Sequence, residues 1–294
     1  MFRKNRAVLG SGGALLVFSA EATIGNCLFV DNFASSRGGV LVSHVGNTRF
    51  INSTFFANTG PGIDGPGLGS GSLAAFESFN QLSPGLATFQ NCVVWDDLPL
   101  FWNMDASVVN IDHSDVQGGW PGTGNFAADP RFIDADGFDN VIGTADDNLR
   151  LCGASLGVDA ADNTAVPADI ADVDGDGNTA EIVSIDLVGA ARMTGGTVDI
   201  GAYEGYFSGG ACDAPFCFYG DVNASGGVNF MDISAIVQVF KGLPTSITFA
   251  DADIFPCGGN AMVNFQDVSA DVAAFKGTPP CANACSARPP PRAP

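Results

Sequence analysis

The chain has 294 residues, of which 12 are Lys or Arg and 32 are Asp or Glu, a formal charge of −20. Such a field repels phosphate and anionic surfaces, excludes nucleic acid as a partner, and draws divalent cations. Charged residues are 15% of the chain and hydrophobic ones 46%, which predicts a sizeable core and no solvated acidic run, and no apolar stretch is long enough to span a membrane.

The first twenty residues, MFRKNRAVLGSGGALLVFSA, have two readings. A basic start, an apolar middle and small residues at Ser19-Ala20 imitate a secretory leader. Against that, Gly12-Gly13 returns as Gly38-Gly39 with similar residues after it, which makes this stretch the first coil of a repeat. The repeat is visible when ATIGNCLF (22–29), TRFINSTF (48–55), ATFQNCVV (87–94) and the looser VNIDHSDV (109–116) are aligned. Ile24, Phe50, Phe89 and Ile111 form one column; Asn26, Asn52, Asn91 and His113 a second; Cys27, Ser53, Cys92 and Ser114 a third; Phe29, Phe55, Val94 and Val116 a fourth. A coil of roughly 22–26 residues with one Gly/Pro-rich insertion around Gly60 to Ser72 accounts for the spacings. Coils stacked about 4.8 Å apart place equivalent residues over one another, so the apolar columns fill an interior. The Asn column is expected to adopt a left-handed backbone and to hydrogen-bond to its neighbours above and below. A β-sandwich gives no reason to repeat Asn at one turn.

Three further segments, HSDVQGGWPGTGNFAADPRFID (113–134), DADGFDNVIGTADDNLRL (134–151) and GTVDIGAYE (196–204), complete a set. Together with the coils they resemble the end of the right-handed parallel β-helix of large exported bacterial proteins, a region of the choice-of-anchor type. That family is mostly without known activity, while related folds include pectate lyases and polygalacturonases. A lyase or hydrolase on this scaffold needs convergent carboxylates, with Arg or Lys for a lyase. Between residues 10 and 205 there is no Lys, and Arg37, Arg49, Arg131, Arg150 and Arg192 lie in no motif. Asp96-Asp97 and the Asp112/Asp115 pair beside His113 are the tempting acids, but the alignment sets Asp96 opposite Gly118, so the groups do not share a face. Trp95, Trp102 and Trp120 are expected at the edge of the core. No catalytic residue is assigned.

Two acidic loops suit calcium better. DVDGDGNTAE offers Asp172, Asp174 and Asp176 at alternate positions followed by Gly177, the opening of a calcium loop, with Glu181 or Asp186 left to close it. DADGFDNVIGTADDN crowds Asp134, Asp136, Asp139, Asp146 and Asp147, which repel one another unless a cation sits among them. Solvated turns are the plain alternative for both.

Five of the eight cysteines, Cys212, Cys217, Cys257, Cys281 and Cys285, crowd the end of the chain without a C-x-x-C pair, which favours disulfides of an exported protein over zinc. Cys27 and Cys92 read as buried thiols. After a Cys/Gly-rich linker (206–219) comes GDVNASGGVNFMDISAIVQVFKG. Asp221, Asn223, Ser225, Gly227, Asn229 and Asp232 occupy positions 1, 3, 5, 7, 9 and 12 of a calcium loop, with Gly226 at the sharp turn. A helix follows with Ile233, Ile236, Val237 and Phe240 on one face and Gly242 as its stop. The segment VNFQDVSADVAAFKG (263–277) repeats Asn264 and Asp267 at positions 9 and 12 and Val268, Val272 and Phe275 on the helix face, but in its front half strict alignment leaves only Asn260 at position 5, with Asp251 and Asp253 just upstream to serve a longer loop. It is either a variant calcium loop or a calcium-free copy braced by Cys257.

The pair resembles a type I dockerin, whose two loop-helix repeats bind Ca2+ and hold a protein on a cohesin partner. In dockerins, recognition rests largely on loop positions 10 and 11, here Phe230-Met231 and Phe265-Gln266 in place of the usual Ser/Thr. The resemblance implies a docking module whose partner is cohesin-like or another surface protein with an apolar face. The expected whole is mainly β: a right-handed parallel β-helix over 1–205, the linker, and a small α-helical, EF-hand-like module over 220–294 with a Pro-rich tail from 280. The expected function is that of an exported, non-enzymatic interaction protein at the bacterial cell surface. Its rival is a polysaccharide-acting β-helix enzyme tethered through the same module.

Overall fold

The columns seen in the sequence stack as strands. In the computed structural model, which describes residues 1–61, 71–77, 84–137, 141–205, 230–243, 247, 252 and 262–276, the coils begin with β1 (Phe2–Arg3) and β2 (Arg6–Ala7). The first full coil holds β3 (Leu15–Phe18), β4 (Glu21–Gly25) and β5 (Leu28–Val30), and β6 (Phe33–Ala34) follows it. The second holds β7 (Leu41–His44), β8 (Asn47–Ile51) and β9 (Thr54–Phe56). The third holds β10 (Ala74–Phe76), β11 (Leu86–Gln90) and β12 (Val93–Trp95), and the fourth β13 (Phe101–Asn103), β14 (Val108–Asp112) and β15 (Asp115–Val116). Every pairing among them is parallel, and three sheets run up the stack: β3-β7-β10-β13, β4-β8-β11-β14 and β1-β5-β9-β12-β15. The result is a parallel β-solenoid of about four turns.

The register reproduces the columns: Ile24, Phe50, Phe89 and Ile111 are paired partners, as are Phe29, Phe55, Val94 and Val116. Leu15 to Leu41 is a step of 26 residues, while Leu41 to Ala74 is 33 and Asn47 to Leu86 is 39. The expected single insertion is therefore divided: part of it precedes β10 and part precedes β11.

Phenylalanine dominates the interior because its ring has no polar tip to satisfy. Phe29 lies between Phe2 and Phe55 in parallel stacks at 4.7 and 4.9 Å; Phe50 stacks on Phe89 at 5.0 Å and meets Phe55 edge-on at 5.2 Å. Phe29, Phe50, Phe55 and Phe89 are all fully buried. Glycine is required where coils touch: a Cβ on Gly39 would overlap the Ser72 carbonyl oxygen, and one on Gly13 the Gly39 carbonyl oxygen.

The chain divides into two units, Met1–Phe132 with Leu149–Gly209, and Ile133–Asn148 with Gly210–Pro294. In the first, residues 151–204 form an irregular layer against the solenoid. Leu151, Ala161, Val166, Val183, Val198 and Ile200 pack with Val93 of β12. The Thr54 hydroxyl of β9 accepts the Ala202 N–H at 3.0 Å. In the second, α1 (Phe230–Phe240) and α2 (Phe265–Phe275) share a small cluster of Ala235, Ile236, Val239, Val263 and Val268 with Ile247 and Ala252. The buried face of α1 is rotated from the expected one, since Phe240 is exposed and Ala235 buried. Gly242 ends α1 at φ +67° as expected.

Candidate functional site

The Asn column behaves as expected in its backbone and differently in its side chains. Asn26, Asn52, Asn91 and His113 all have positive φ, between 46° and 56°. Their side chains do not bond up and down the stack. The Asn26 amide donates to the Ile185 carbonyl at 2.7 Å, the Asn91 amide donates to the Asp162 carbonyl, and the Asn91 oxygen accepts the Asp162 N–H at 2.9 Å. This corner is where the irregular layer is fastened, which draws the amides sideways. The Cys/Ser column does run along the stack: Ser53 and Ser114 hydroxyls accept the N–H groups of Cys27 and Cys92. Cys27 and Cys92 are free thiols, and burial pushes Cys92 up to about 12, so it is inert; Cys152 is disulfide-bonded.

A vertical ladder exists at another turn. Asn5 donates to the Asn32 side-chain oxygen, Asn32 to that of Asn58, and Asn58 to the Asp96 carboxylate, each with both backbone and side-chain N–H, at 2.7–3.2 Å. Asn32, Asn58 and Asp96 are buried. Asp96 is therefore an internal acceptor. Asp97 is exposed, Asp112 accepts the Thr123 N–H, and the buried Asp115 accepts the Ala128 N–H. Asp96, Asp112 and Asp115 hold turns and the segment closing the fourth coil, and among the described residues the four acids converge on no common opening. The tryptophans also stand apart: Trp95 joins the packing with the irregular layer, Trp102 lies under the Arg37 guanidinium at 3.8 Å, and Trp120 meets Phe101 edge-on. An open depression on the outer face of β4, β8 and β11 is lined by Glu21, Thr23, Asn47, Arg49, Leu86 and Thr88. Its Arg49 is tied to the Gln90 oxygen at 2.6 and 3.0 Å.

The first acidic loop brings its three carboxylates together. Asp172, Asp174 and Asp176 each present an oxygen within 4.8 Å of the others, the one such trio among the described residues. The loop winds through Asp172, Gly175 and Gly177 at positive φ, and Asp172 accepts the Gly177 N–H while Asp176 accepts the Asn178 N–H. Asp174 also accepts the Ser184 hydroxyl, which closes the loop on itself. Of the two closers expected, Asp186 is taken: it is buried and accepts the N–H groups of Val188, Ala190 and Glu204. Glu181 feels two members of the trio, its carboxyl raised by desolvation, by the charges of Asp176 and Asp174, and by that of Asp169. A hard cation fits this donor set. In the second acidic loop Asp134 is pushed up to about 6 by burial and by Asp136, Asp146 and Asp147, while Asp147 accepts the Gly143 N–H and Asp146 the Thr144 hydroxyl.

Sequence reasoning missed a buried charge cluster built by GTVDIGAYE. Arg192, fully buried, donates to the Asn26 side chain and to the Gly201 and Ala202 carbonyls, and lies 3.7 Å from Glu204. Glu204 accepts the N–H groups of Thr194 and Asp199; Asp199 accepts those of Asp159 and Gly205. Burial raises Glu204 to about 7 and raises Asp199, with backbone N–H donors next and Arg192 last pulling each back, and burial lowers Arg192 against the charges of Glu204, Asp186 and Asp199. The signal in the sequence was a lone Arg in a stretch without Lys.

Of the expected docking module, Asp221, Asn223, Ser225, Gly227, Asn229 and Asn260 lie outside the described residues, as does the Asp232 side chain. Asn264 and Asp267 form a reciprocal cap at the start of α2: the Asn264 oxygen accepts the Gln266 N–H at 2.7 Å and Asp267 accepts the Asn264 N–H at 2.8 Å. Phe230 and Phe265 are each 72% exposed, and Met231 and Gln266 are exposed beside them. Set against known proteins, the chain matches no family model, no curated protein and no solved structure.

Proposed function

We propose that this chain is an exported bacterial surface protein that binds rather than catalyses, a β-helix joined to a calcium-dependent dockerin-like docking module. The observation that carries the non-enzymatic reading is the fate of the acids. Asp96 is consumed inside the Asn ladder, Asp112 and Asp115 hold backbone N–H groups, and Arg192 is sealed among Asp186, Asp199 and Glu204. No pair of them faces a common opening among the described residues, and general acid–base work needs that. The docking surface of the reading is the pair Phe230-Met231 and Phe265-Gln266 at the starts of the two helices, which suits an apolar partner face on a cohesin-like or other surface protein.

Ca2+ in this reading holds long turns rigid. It sits at Asp172, Asp174 and Asp176 with Glu181, and in the loop of Asp221, Asn223, Ser225, Gly227, Asn229 and Asp232; the second copy keeps Asn264 and Asp267. The test has two arms. Incubation with pectins and related polyuronates is expected to release no unsaturated or reducing ends, and their appearance would establish the rival enzyme reading. Melting with and without a chelator is expected to show a lower Tm without calcium, and Asp221→Ala and Asp174→Ala are each expected to weaken that response. An unchanged melt and no calcium uptake would remove the metal from the reading.

A further inference from the structure

We propose that Asp96 is a proton-operated terminator of the internal Asn ladder, so that the fold around the second and third coils, which it joins, is more stable in mildly acidic surroundings than in neutral ones. The geometry gives the ladder a direction. Asn5, Asn32 and Asn58 each pass donors to the residue above, Asn32 and Asn58 also receive donors from below, and the chain of bonds ends on Asp96, whose ionised form only accepts. Continuing the β12-β15 register places Gly118 above Asp96, so no side chain there can extend the ladder. A Cβ on Gly118 would meet the Leu98 side chain at 2.8 Å. The third coil is also one residue shorter at this turn. Asn58 lies three residues after Phe55, but Asp96 only two after its column partner Val94.

The carboxylate is thus embedded without a cation. Among the described residues Asp96 forms no ion pair, and its hydrogen bonds all come from Asn58: N–H at 2.7 Å, and side-chain amide at 3.0 and 3.3 Å. Asp97 is the single charged group acting on it, and it disfavours ionisation, as burial does. Burial, the larger cause, outweighs the Asn58 bonds and moves the group up to about 7. The sign follows. The folded protein holds this proton more tightly than the unfolded chain does, so stability is gained as pH falls through about 7 and lost as pH rises through it.

The experiment compares the full chain with Asp96→Asn, the neutral isostere, by thermal and urea unfolding between pH 5 and pH 8. The expected result is a variant that gains on the native protein as pH rises, the ratio of their folding constants changing by roughly tenfold or more across the range. Asp97→Asn, exposed, is expected to leave the pH dependence nearly parallel to native. A ratio constant with pH overturns the proposal, because Asp115, Glu204 and the other acids titrate equally in both proteins. If Asp96→Asn does not fold, the carboxyl carbon resonance of Asp96 in the native chain decides: a midpoint near 7 supports the terminator and one below 5 overturns it.

Discussion

The solenoid and the irregular layer on its flank solve the same problem by opposite means. In the solenoid, each coil covers the one below, backbone groups pair between equivalent residues, and the interior is a dry stack of Phe rings. In the layer there are a few bridges and one short 3-10 turn, Asn163–Ala165, and the backbone is satisfied by carboxylates: Asp169 holds Val173, Asp186 holds Val188 and Ala190, and Asp199 holds Asp159 and Gly205. The acidity of the chain is thus partly structural. The Asp residues replace the neighbouring strand that the layer lacks, and one buried guanidinium offsets the charge they bring together.

Breaking each region at its centre separates the two designs. Phe55→Ala removes a ring stacked on Phe29 and edge-on to Phe50 and Phe89, and is expected to cost about 3–5 kcal/mol in urea unfolding, whereas Leu86→Ala on the outer face should cost far less. Arg192→Ala leaves Asp199 and Glu204 buried without their cation and is expected to cost about 3–5 kcal/mol. The two variants differ in what rescues them. Adding Glu204→Gln should recover part of the Arg192→Ala loss and none of the Phe55→Ala loss, and a double-mutant cycle measures this.

The same contrast explains what could be read from the sequence. The columns through Phe50 and Phe55 were legible because the coil repeats them in register, and left-handed Asn26, Asn52 and Asn91 were legible because a turn imposes one backbone shape on every coil. The inner ladder was hidden by one missing residue, since Asn5, Asn32 and Asn58 each follow a column Phe by three and Asp96 follows Val94 by two. The flank layer has no period at all. Its defining contact, Arg192 to Asn26, spans 166 residues, and no local pattern announces it. The Asp172, Asp174 and Asp176 trio was readable because its ligand atoms come from alternate residues of one tight loop.

Glu204 sharpens the comparison with pH. Its folded value of about 7, against an ordinary 4.5, means that protonation favours the folded state. Stability from this group is fully present below about 4.5, is lost as pH rises from there through about 7, and changes little above it. In the native protein that loss is expected to be about 2 kcal/mol between pH 5 and pH 8, and Glu204→Gln should remove it. The measurement is the difference in Tm between the two proteins across that range, and a difference that does not move would show that Arg192 keeps Glu204 ionised throughout.

The smallest effect on stability belongs to the helical pair, where a large effect on binding is expected. Phe230 and Phe265 are each 72% exposed while Ile236, one turn and a half further along α1, is fully buried. Their rings contribute little to the cluster of Ala235, Ile236, Val263 and Val268 that joins the helices. Phe230→Ser with Phe265→Ser should therefore change unfolding by no more than about 0.5 kcal/mol each, as surface substitutions do. Ile236→Ser should cost several times as much, because it buries a hydroxyl and empties the contact between α1 and α2. If the two Phe act as the anchors of a docking face, retention on immobilised surface proteins is lost in the Phe double variant and its melt is unchanged. A melt that falls with the Phe substitutions would instead place both rings in the packing of the module. Because the two outcomes are read on different instruments, a destabilised module cannot be mistaken for one that has only lost its partner.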